Sequence, residues 1–143
     1  MTIQEKLKRL KAISTGKFLD RILKANSGNI LDMNRSQMWD KGIIDVKNPG
    51  RKERYSPATI KAKKHSPYNK TEFITLKDKG KFHAGLKLEI NKEDIVIKSD
   101  TPYWKYHEKG QRLGSALGLT ENNISELREM VKEEMLKMIH DVL

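Results

Sequence analysis

The strongest pattern along the chain is a set of apolar residues near its end that recur every three or four positions. These positions are Ile124, Leu127, Val131, Met135, Ile139 and Val142. Such spacing gives an α-helix one apolar stripe. Thr120 stands just before the stripe and suits the N-cap position. The pattern therefore predicts a long C-terminal helix over about 121–142.

Helical spacing also dominates the N-terminal part of the chain. Thr2 and Glu5 have the spacing of a capping box, which starts a helix. Two apolar stripes follow, the first at Ile3, Leu7, Leu10 and Ile13 and the second at Phe18, Leu19, Ile22 and Leu23. The polar, glycine-containing stretch 26–29 is predicted to close the second helix. For 30–39 a third helix, ending at Gly42, is favoured over a strand.

A different periodicity begins after residue 84. Apolar and charged residues alternate in the stretch 86–90, and alternation resumes in 95–98 after a polar loop. Period two is typical of antiparallel strands with one buried face. We therefore expect a hairpin over about 84–98. An isolated hairpin is marginally stable, so it must pack on other elements. The predicted fold is α+β, with a small antiparallel sheet packed against N-terminal helices and the long C-terminal helix.

The stretch 44–72 is the least regular part of the chain. It holds three of the four prolines, at 49, 57 and 67. Ser56 followed by Pro57 can start one or two helical turns, because proline is tolerated at the first helical position. We expect the remainder to be an exposed basic arm or long loop. Loops of this length in compact domains are usually functional or disordered.

Composition limits the class of protein. The 143 residues make one domain's worth of chain, with 36% apolar and 34% charged residues. This apolar content is low for a self-sufficient core, which favours either burial against partner chains or a sizeable segment that stays loose until it is bound. There are no cysteines, which excludes disulfides and thiolate metal sites. No apolar run approaches the roughly 20 residues of a membrane-spanning helix, and the N-terminus lacks a signal-peptide core. We expect a single domain, 1–143, that folds in the cytoplasm without membrane contact.

The net charge of +10 is concentrated in one stretch. Residues 47–87 contain twelve Lys or Arg and three acids, which amounts to +9. Such a stripe favours polyanions or an acidic partner surface. The candidate contact residues for a partner or DNA are Arg51, Lys52, Arg54, Lys61, Lys63 and Lys64. A small basic nucleic-acid-binding protein is therefore one alternative for the function.

Catalytic and metal-binding patterns are weak by comparison. The four histidines, at positions 65, 83, 107 and 140, make no zinc-binding spacing. The glycines form neither a P-loop nor a dinucleotide fingerprint. His107 beside Glu108 is the one foothold for an enzymatic alternative. We expect no enzyme activity, no metal and no cofactor.

The order of features from Leu76 onward carries a family resemblance. Leu76, Asp78, Gly80 and Phe82 precede the hairpin, which ends at Ile97 and Ser99. An aromatic segment, 103–110, and the block 117–120 then lead into the last helix. This order resembles the tail-completion and neck proteins of Mu-like and related tailed phages, the virion morphogenesis family. Lys79 stands where that family usually has threonine, and an R-P-F motif before the glycine-leucine block is absent.

The resemblance implies a non-enzymatic α+β subunit of a phage virion, assembled in the cytoplasm of the host bacterium. Such subunits form a homo-oligomeric ring at the head–tail junction, around the DNA channel, in contact with portal, connector or tail proteins. The basic arm would contact a neighbouring ring or, non-specifically, phage DNA. We expect Tyr103, Trp104 and Tyr106 at a subunit interface. Neck, tail-completion and terminator roles all remain open.

Overall fold

The computed structural model describes residues 1–14, 16–77, 80–91, 94–101 and 116–143. Its elements are α1 (Ile3–Ser14), α2 (Lys17–Ala25), α3 (Ser27–Trp39), α4 (Pro57–Lys63), α5 (Lys81–Ala84), β1 (Leu86–Ile90), β2 (Ile95–Ser99) and α6 (Glu121–Val142). The described strands form one two-stranded antiparallel sheet. The predicted α+β class is therefore confirmed.

Two helices begin at the side-chain caps that the sequence predicts. The Glu5 N–H donates to Thr2 Oγ1 at 3.1 Å, and the Thr2 N–H donates to the Glu5 carboxylate at 2.7 Å. At the other end of the chain, Thr120 Oγ1 accepts from the Asn123 N–H at 3.4 Å. These contacts satisfy N–H groups that a helix start leaves without intrahelical partners.

The boundary between α2 and α3 differs from the prediction. The stretch 26–29 does not form a closing loop, because Asn26 alone separates the two helices. Ser27 Oγ donates to the Lys24 carbonyl at 2.6 Å, while the backbone turns at Asn26 and continues as helix. The third helix is confirmed and its last residue is Trp39, as in the predicted range 30–39, but it begins earlier, at Ser27.

The hairpin is antiparallel, as predicted, and its leucine and isoleucine residues share one face of the sheet. Leu88 pairs with Ile97, and Ile90 pairs with Ile95 across the sheet. The outward face carries an ion pair between Lys98 Nζ and the Glu89 carboxylate at 2.9 Å. The short helix α5 before the hairpin, Lys81–Ala84, was not predicted. It starts after Gly80, whose φ of 81° lies in the left-handed region that glycine tolerates.

The main core lies where α2, α3, the hairpin and α6 meet. Its buried members are Leu23, Ile30, Met38, Phe82, Leu86, Ile97, Ala116 and Leu127. Ile30 is fully buried, and burial of one such side chain contributes roughly 1.5–3 kcal/mol to folding. The hairpin is thus stabilised by helices, as its marginal stability alone requires.

A second, smaller cluster lies beneath the basic segment. Ile44 and Ile74 are buried together, with Tyr55 and Leu76 packed against them. The Ile74 N–H also donates to the Glu53 carbonyl at 2.8 Å, which ties the interior of the segment to the residues that follow it. Apart from α4, the stretch 44–72 is irregular and mostly exposed, as expected of a long loop, but it does not project freely as an arm. The stretch has its own apolar anchors and folds back onto the body.

The start of α6 is held by a buried amide on α3. Gln37 Nε2 donates to the Gly118 carbonyl at 3.0 Å. Gln37 Oε1 accepts from the Thr120 N–H at 3.0 Å and from the Asn123 side chain. One side chain therefore fixes both the approach to the helix and its first turn, which determines where α6 lies on the core.

Candidate partner-binding surface

The basic segment places its predicted contact residues in three different environments. Lys52, Arg54, Lys61 and Lys64 are exposed. Arg51 is half-buried, and its guanidinium donates to the Glu53 carboxylate at 2.7 Å. Lys63 is buried and only 3% exposed. Four of the six predicted residues therefore present their charge directly to solvent.

Helix α4 explains why neighbouring lysines differ so strongly. Ser56 caps the helix by accepting from the Thr59 N–H at 3.3 Å, and Pro57 is its first residue. Residues three apart lie on the same side of a helix, so Ile60 and Lys63 both face the body. This i, i+3 spacing was visible in the sequence and was the missed signal for the burial of Lys63.

The buried ammonium of Lys63 has two favourable neighbours. Its Nζ donates to the Lys77 backbone carbonyl at 2.9 Å. It also lies 5.0 Å from the centre of the Tyr55 ring, which is cation–π distance. Burying a charged group is costly unless it is paired in this way. Lys63 therefore holds the segment together in the folded chain instead of facing solvent, contrary to its place among the exposed contact residues.

Lysines surround a pair of edge-to-face aromatic rings at the end of α3. The rings of Trp39 and Tyr68 are 6.0 Å apart with an interplanar angle of 84°. Lys77 Nζ lies 4.5 Å from the Tyr68 ring centre and 5.1 Å from that of Trp39. Together with Lys52, Lys70 and Phe73, these residues form a group that we call the lysine–aromatic cluster.

Phe73 brings two further lysines into the lysine–aromatic cluster. Lys70 Nζ lies 4.8 Å from the Phe73 ring centre and 5.6 Å from that of Trp39. Lys52 Nζ lies 5.5 Å from the same phenyl ring. Ring faces attract cations at these distances and restrict where the ammonium groups point. The basic charge at this surface is therefore held in place by aromatic neighbours.

Polar contacts join the basic segment to α3. Thr75 is fully buried, and its N–H donates to the Tyr55 hydroxyl at 3.0 Å. The Thr75 carbonyl lies 2.8 Å from His83 Nε2. The His83 carbonyl in turn accepts from Arg35 Nε at 2.7 Å. This chain of contacts runs from the segment, through α5, to α3.

His83 is held neutral by its surroundings. Burial lowers the pKa of its imidazole below 6.5, and the cations Lys77 and Arg35 lower it further. The hydrogen bond to Thr75 opposes this shift. Because a carbonyl can only accept, Nε2 of the neutral ring carries the proton. His83 therefore acts as a structural donor between the two segments.

An apolar groove lies on another side of the molecule, bordered by α2, the hairpin and α6. Its volume is about 700 Å³. The apolar side chains along it include Leu19, Leu23, Ile97, Val131 and Met135. The middle of the apolar face of α6, at Val131 and Met135, is thus only half-buried by the described residues, although the sequence predicts a continuous apolar face there.

Two predicted groups lie outside the described residues. The first is the aromatic set Tyr103, Trp104 and Tyr106, and the second is the pair His107 and Glu108. In the part of the chain that is described, no three His, Asp or Glu side chains come together as a metal site would require. None of the described helices combines the length and the apolarity needed to cross a membrane.

No family model, no curated protein and no solved structure matches this chain.

Proposed function

We propose that this protein is a structural subunit of a tailed-phage virion, forming a ring at the head–tail junction around the DNA channel. The observation that carries the proposal is the folded basic segment. In this segment the ammonium groups of Lys52, Lys70 and Lys77 lie beside aromatic rings of the lysine–aromatic cluster. A ring of such subunits would repeat this cationic surface around its axis. A surface of that kind suits DNA or an acidic neighbouring ring.

The incomplete burial of the single chain supports an assembling subunit. The groove beside α6 leaves apolar side chains half-covered, and large apolar side chains are exposed on α1 and α6. Surfaces of this kind usually mark contacts with other proteins. The role we propose is mechanical: the hairpin and α6 form the body, and the basic surface contacts the neighbouring ring or the DNA.

The test is assembly, alone and with partners. Native mass spectrometry and negative-stain images of the purified chain, with and without portal and tail components, should show closed rings. Mass spectrometry of purified virions should find the chain at a fixed copy number. A protein that stays monomeric in every mixture and is absent from virions would overturn the proposal.

Non-specific nucleic-acid binding is the second candidate function, and the lysine–aromatic cluster favours it. Cations beside aromatic rings occur where proteins follow a nucleic-acid backbone. Binding would weaken steeply with salt, because each neutralised phosphate releases counterions. A salt titration of DNA affinity separates the two functions. Tight binding by the unassembled chain, with a steep slope, supports this candidate. Weak binding supports the virion subunit, whose basic surface would then contact an acidic neighbouring ring.

The matched variants for this titration are pairs of exposed lysines. Replacing Lys61 and Lys64 by Ala removes charge from the basic surface, whereas replacing Lys24 and Lys137 by Ala removes the same charge elsewhere. If the basic surface binds DNA, the first pair should reduce the salt slope by about one unit per lost phosphate contact. The second pair should leave the slope unchanged. Equal effects of both pairs would exclude a localised DNA site.

A further inference from the structure

The exposed large apolar side chains of the described residues are confined to two neighbouring helices and the residues that flank them. They are Met1, Ile3, Leu7, Leu136 and Leu143. Lys6 Nζ donates to the Leu143 carbonyl at 2.9 Å, which places the start of α1 against the end of α6. The start of α1 and the end of α6 therefore lie side by side, whereas Leu136 lies about two turns earlier on α6, at the groove.

The apolar residues of α1 lie beside positive charge. Ile3 and Leu7 are four residues apart and form one stripe, with exposed fractions of 77% and 51%. Gln4 and Lys8 lie next to this stripe and are also exposed. Helix α1 contains four Lys or Arg and a single acid, so it carries +3. We call this surface the α1 stripe.

The exposed apolar residue of α6 lies beside negative charge. Leu136 is 55% exposed. Glu129 and Glu133 precede it by seven and three residues, so helical geometry puts all three on one side. Lys132 borders Leu136 on the side of the groove. Helix α6 contains six acids and three Lys or Arg, so it carries −3. We call Leu136 with its two glutamates the α6 stripe.

We infer that a second copy of this chain docks its α1 stripe against the α6 stripe. The helices that carry the two stripes are complementary in charge, +3 for α1 against −3 for α6, and each stripe has apolar side chains exposed to water. The choice of a second copy as the occupant rests on the proposed ring function. The two stripes have no residue in common, so each copy can offer its α1 stripe to one neighbour and its α6 stripe to another. Such head-to-tail contacts build a ring when the rotation from one copy to the next closes on itself.

Charge reversal tests this contact without touching the core. One variant, Gln4→Glu with Lys8→Glu, makes the α1 stripe acidic. The other, Glu129→Lys with Glu133→Lys, makes the α6 stripe basic. These side chains are exposed, so both variants should fold, as far-ultraviolet circular dichroism and thermal unfolding will check. The control, Lys17→Glu with Lys24→Glu, reverses two exposed charges on α2.

Each reversed variant alone should associate at least about tenfold more weakly than wild type in sedimentation velocity, because like charges then meet. Mixing the two variants should restore association, since the acidic α1 stripe of one meets the basic α6 stripe of the other. Native mass spectrometry with one variant isotopically labelled should show mixed oligomers. The control should associate like wild type.

The possible failures are distinct. If wild type forms oligomers that neither reversal weakens, or if the mixture does not recover, the inferred contact is overturned while the ring function stands. If wild type is monomeric at every concentration, the contact is overturned, and the ring function is decided separately by its presence in virions.

Discussion

The side-chain amide of Asn34 on α3 is the hydrogen-bond partner of the Gly118 N–H, with Oδ1 accepting at 3.2 Å. The same amide donates through Nδ2 to the Ala116 carbonyl at 2.9 Å. Asn34 and Ala116 are both completely buried. The buried amide of Asn34 thus pairs with two backbone groups of the segment that leads into α6. These two hydrogen bonds hold that segment in place against α3.

Replacing Asn34 by Ala should therefore destabilise the protein. The change removes the partners of the buried Ala116 carbonyl and the half-buried Gly118 N–H, and a buried polar group without a partner costs about 1–3 kcal/mol. Urea unfolding followed by circular dichroism measures the loss. Asn122→Ala is the control, because Asn122 is exposed at the start of α6. Equal stability of the two variants would show that the Asn34 contacts contribute nothing.

Gly42 should not tolerate a side chain. Its φ of 63° is left-handed, and a β-carbon there would overlap the Phe73 ring. Gly42→Ala is expected to cost at least about 1 kcal/mol, from the backbone strain alone. Gly28→Ala is the matched control, since a β-carbon at Gly28 meets no atom within 4 Å and the residue is helical. Thermal unfolding should show the first variant melting lower and the second unchanged or higher.

Substitution of Lys63 should lower the stability of the protein, whereas substitution of its exposed neighbours Lys61 and Lys64 should lower its affinity for polyanions. Lys63→Ala removes the donor to the Lys77 carbonyl and the cation near Tyr55, so unfolding should become easier by about 1–3 kcal/mol. Lys61→Ala and Lys64→Ala should leave stability within about 0.5 kcal/mol, because both side chains are exposed.

Affinity for polyanions should depend on the exposed lysines, Lys61 and Lys64, more than on the buried Lys63. Retention on heparin at low salt should fall for the variants of Lys61 and Lys64. It should change little for folded Lys63→Met, which keeps the apolar stem of the side chain. A loss of retention in the Met variant larger than in the exposed pair would contradict the structural role of Lys63.

Stability should decline when the solution becomes mildly acidic. The pKa of His83 is lowered in the folded protein, mainly by burial, so the unfolded chain takes up the proton first. The contribution of the neutral imidazole is complete above pH 6.5 and is lost progressively as pH falls from there toward the lowered folded pKa. Urea midpoints measured between pH 8 and pH 5 follow this loss.

A glutamine at position 83 should remove that part of the pH dependence. Its Nε2 can donate to the Thr75 carbonyl as the imidazole does, but it does not titrate. His65→Gln, at an exposed position, should retain the wild-type slope. If His83→Gln kept the same slope, the pH dependence would belong to other groups.

Local sequence signals predicted most of the regular elements. The caps at Thr2 and Thr120, the apolar spacing of α6 and the alternation of the hairpin each depend on residues close together in the chain. The same locality explains the errors. The stretch 26–29 has turn-forming composition, yet the packing of Ile30 and Leu23 keeps α2 and α3 adjacent, with Asn26 as the whole connection.

The positive charge of the candidate surface was predicted from the sequence, but the arrangement of its side chains was not. Sequence identified the basic stretch and named Arg51, Lys52, Arg54, Lys61, Lys63 and Lys64. It did not single out Lys70 and Lys77, whose positions depend on rings brought together from α3 and from 68–73. Nor did it place Lys63 inside. The i, i+3 spacing from Ile60 to Lys63 was visible in the sequence, but only the packed structure shows that this side of α4 faces the body.

The sequence by itself determined most of the helices, the hairpin, the fold class and the total charge, because each follows from short-range periodicity, capping or composition. The tertiary structure alone decided that Ile44 and Ile74 meet beneath the basic segment, that Asn34 holds Gly118, and that apolar side chains of α1 and α6 remain exposed. Those outcomes depend on contacts between residues far apart in the chain, and which distant side chains meet is set by packing of the whole core rather than by any local pattern.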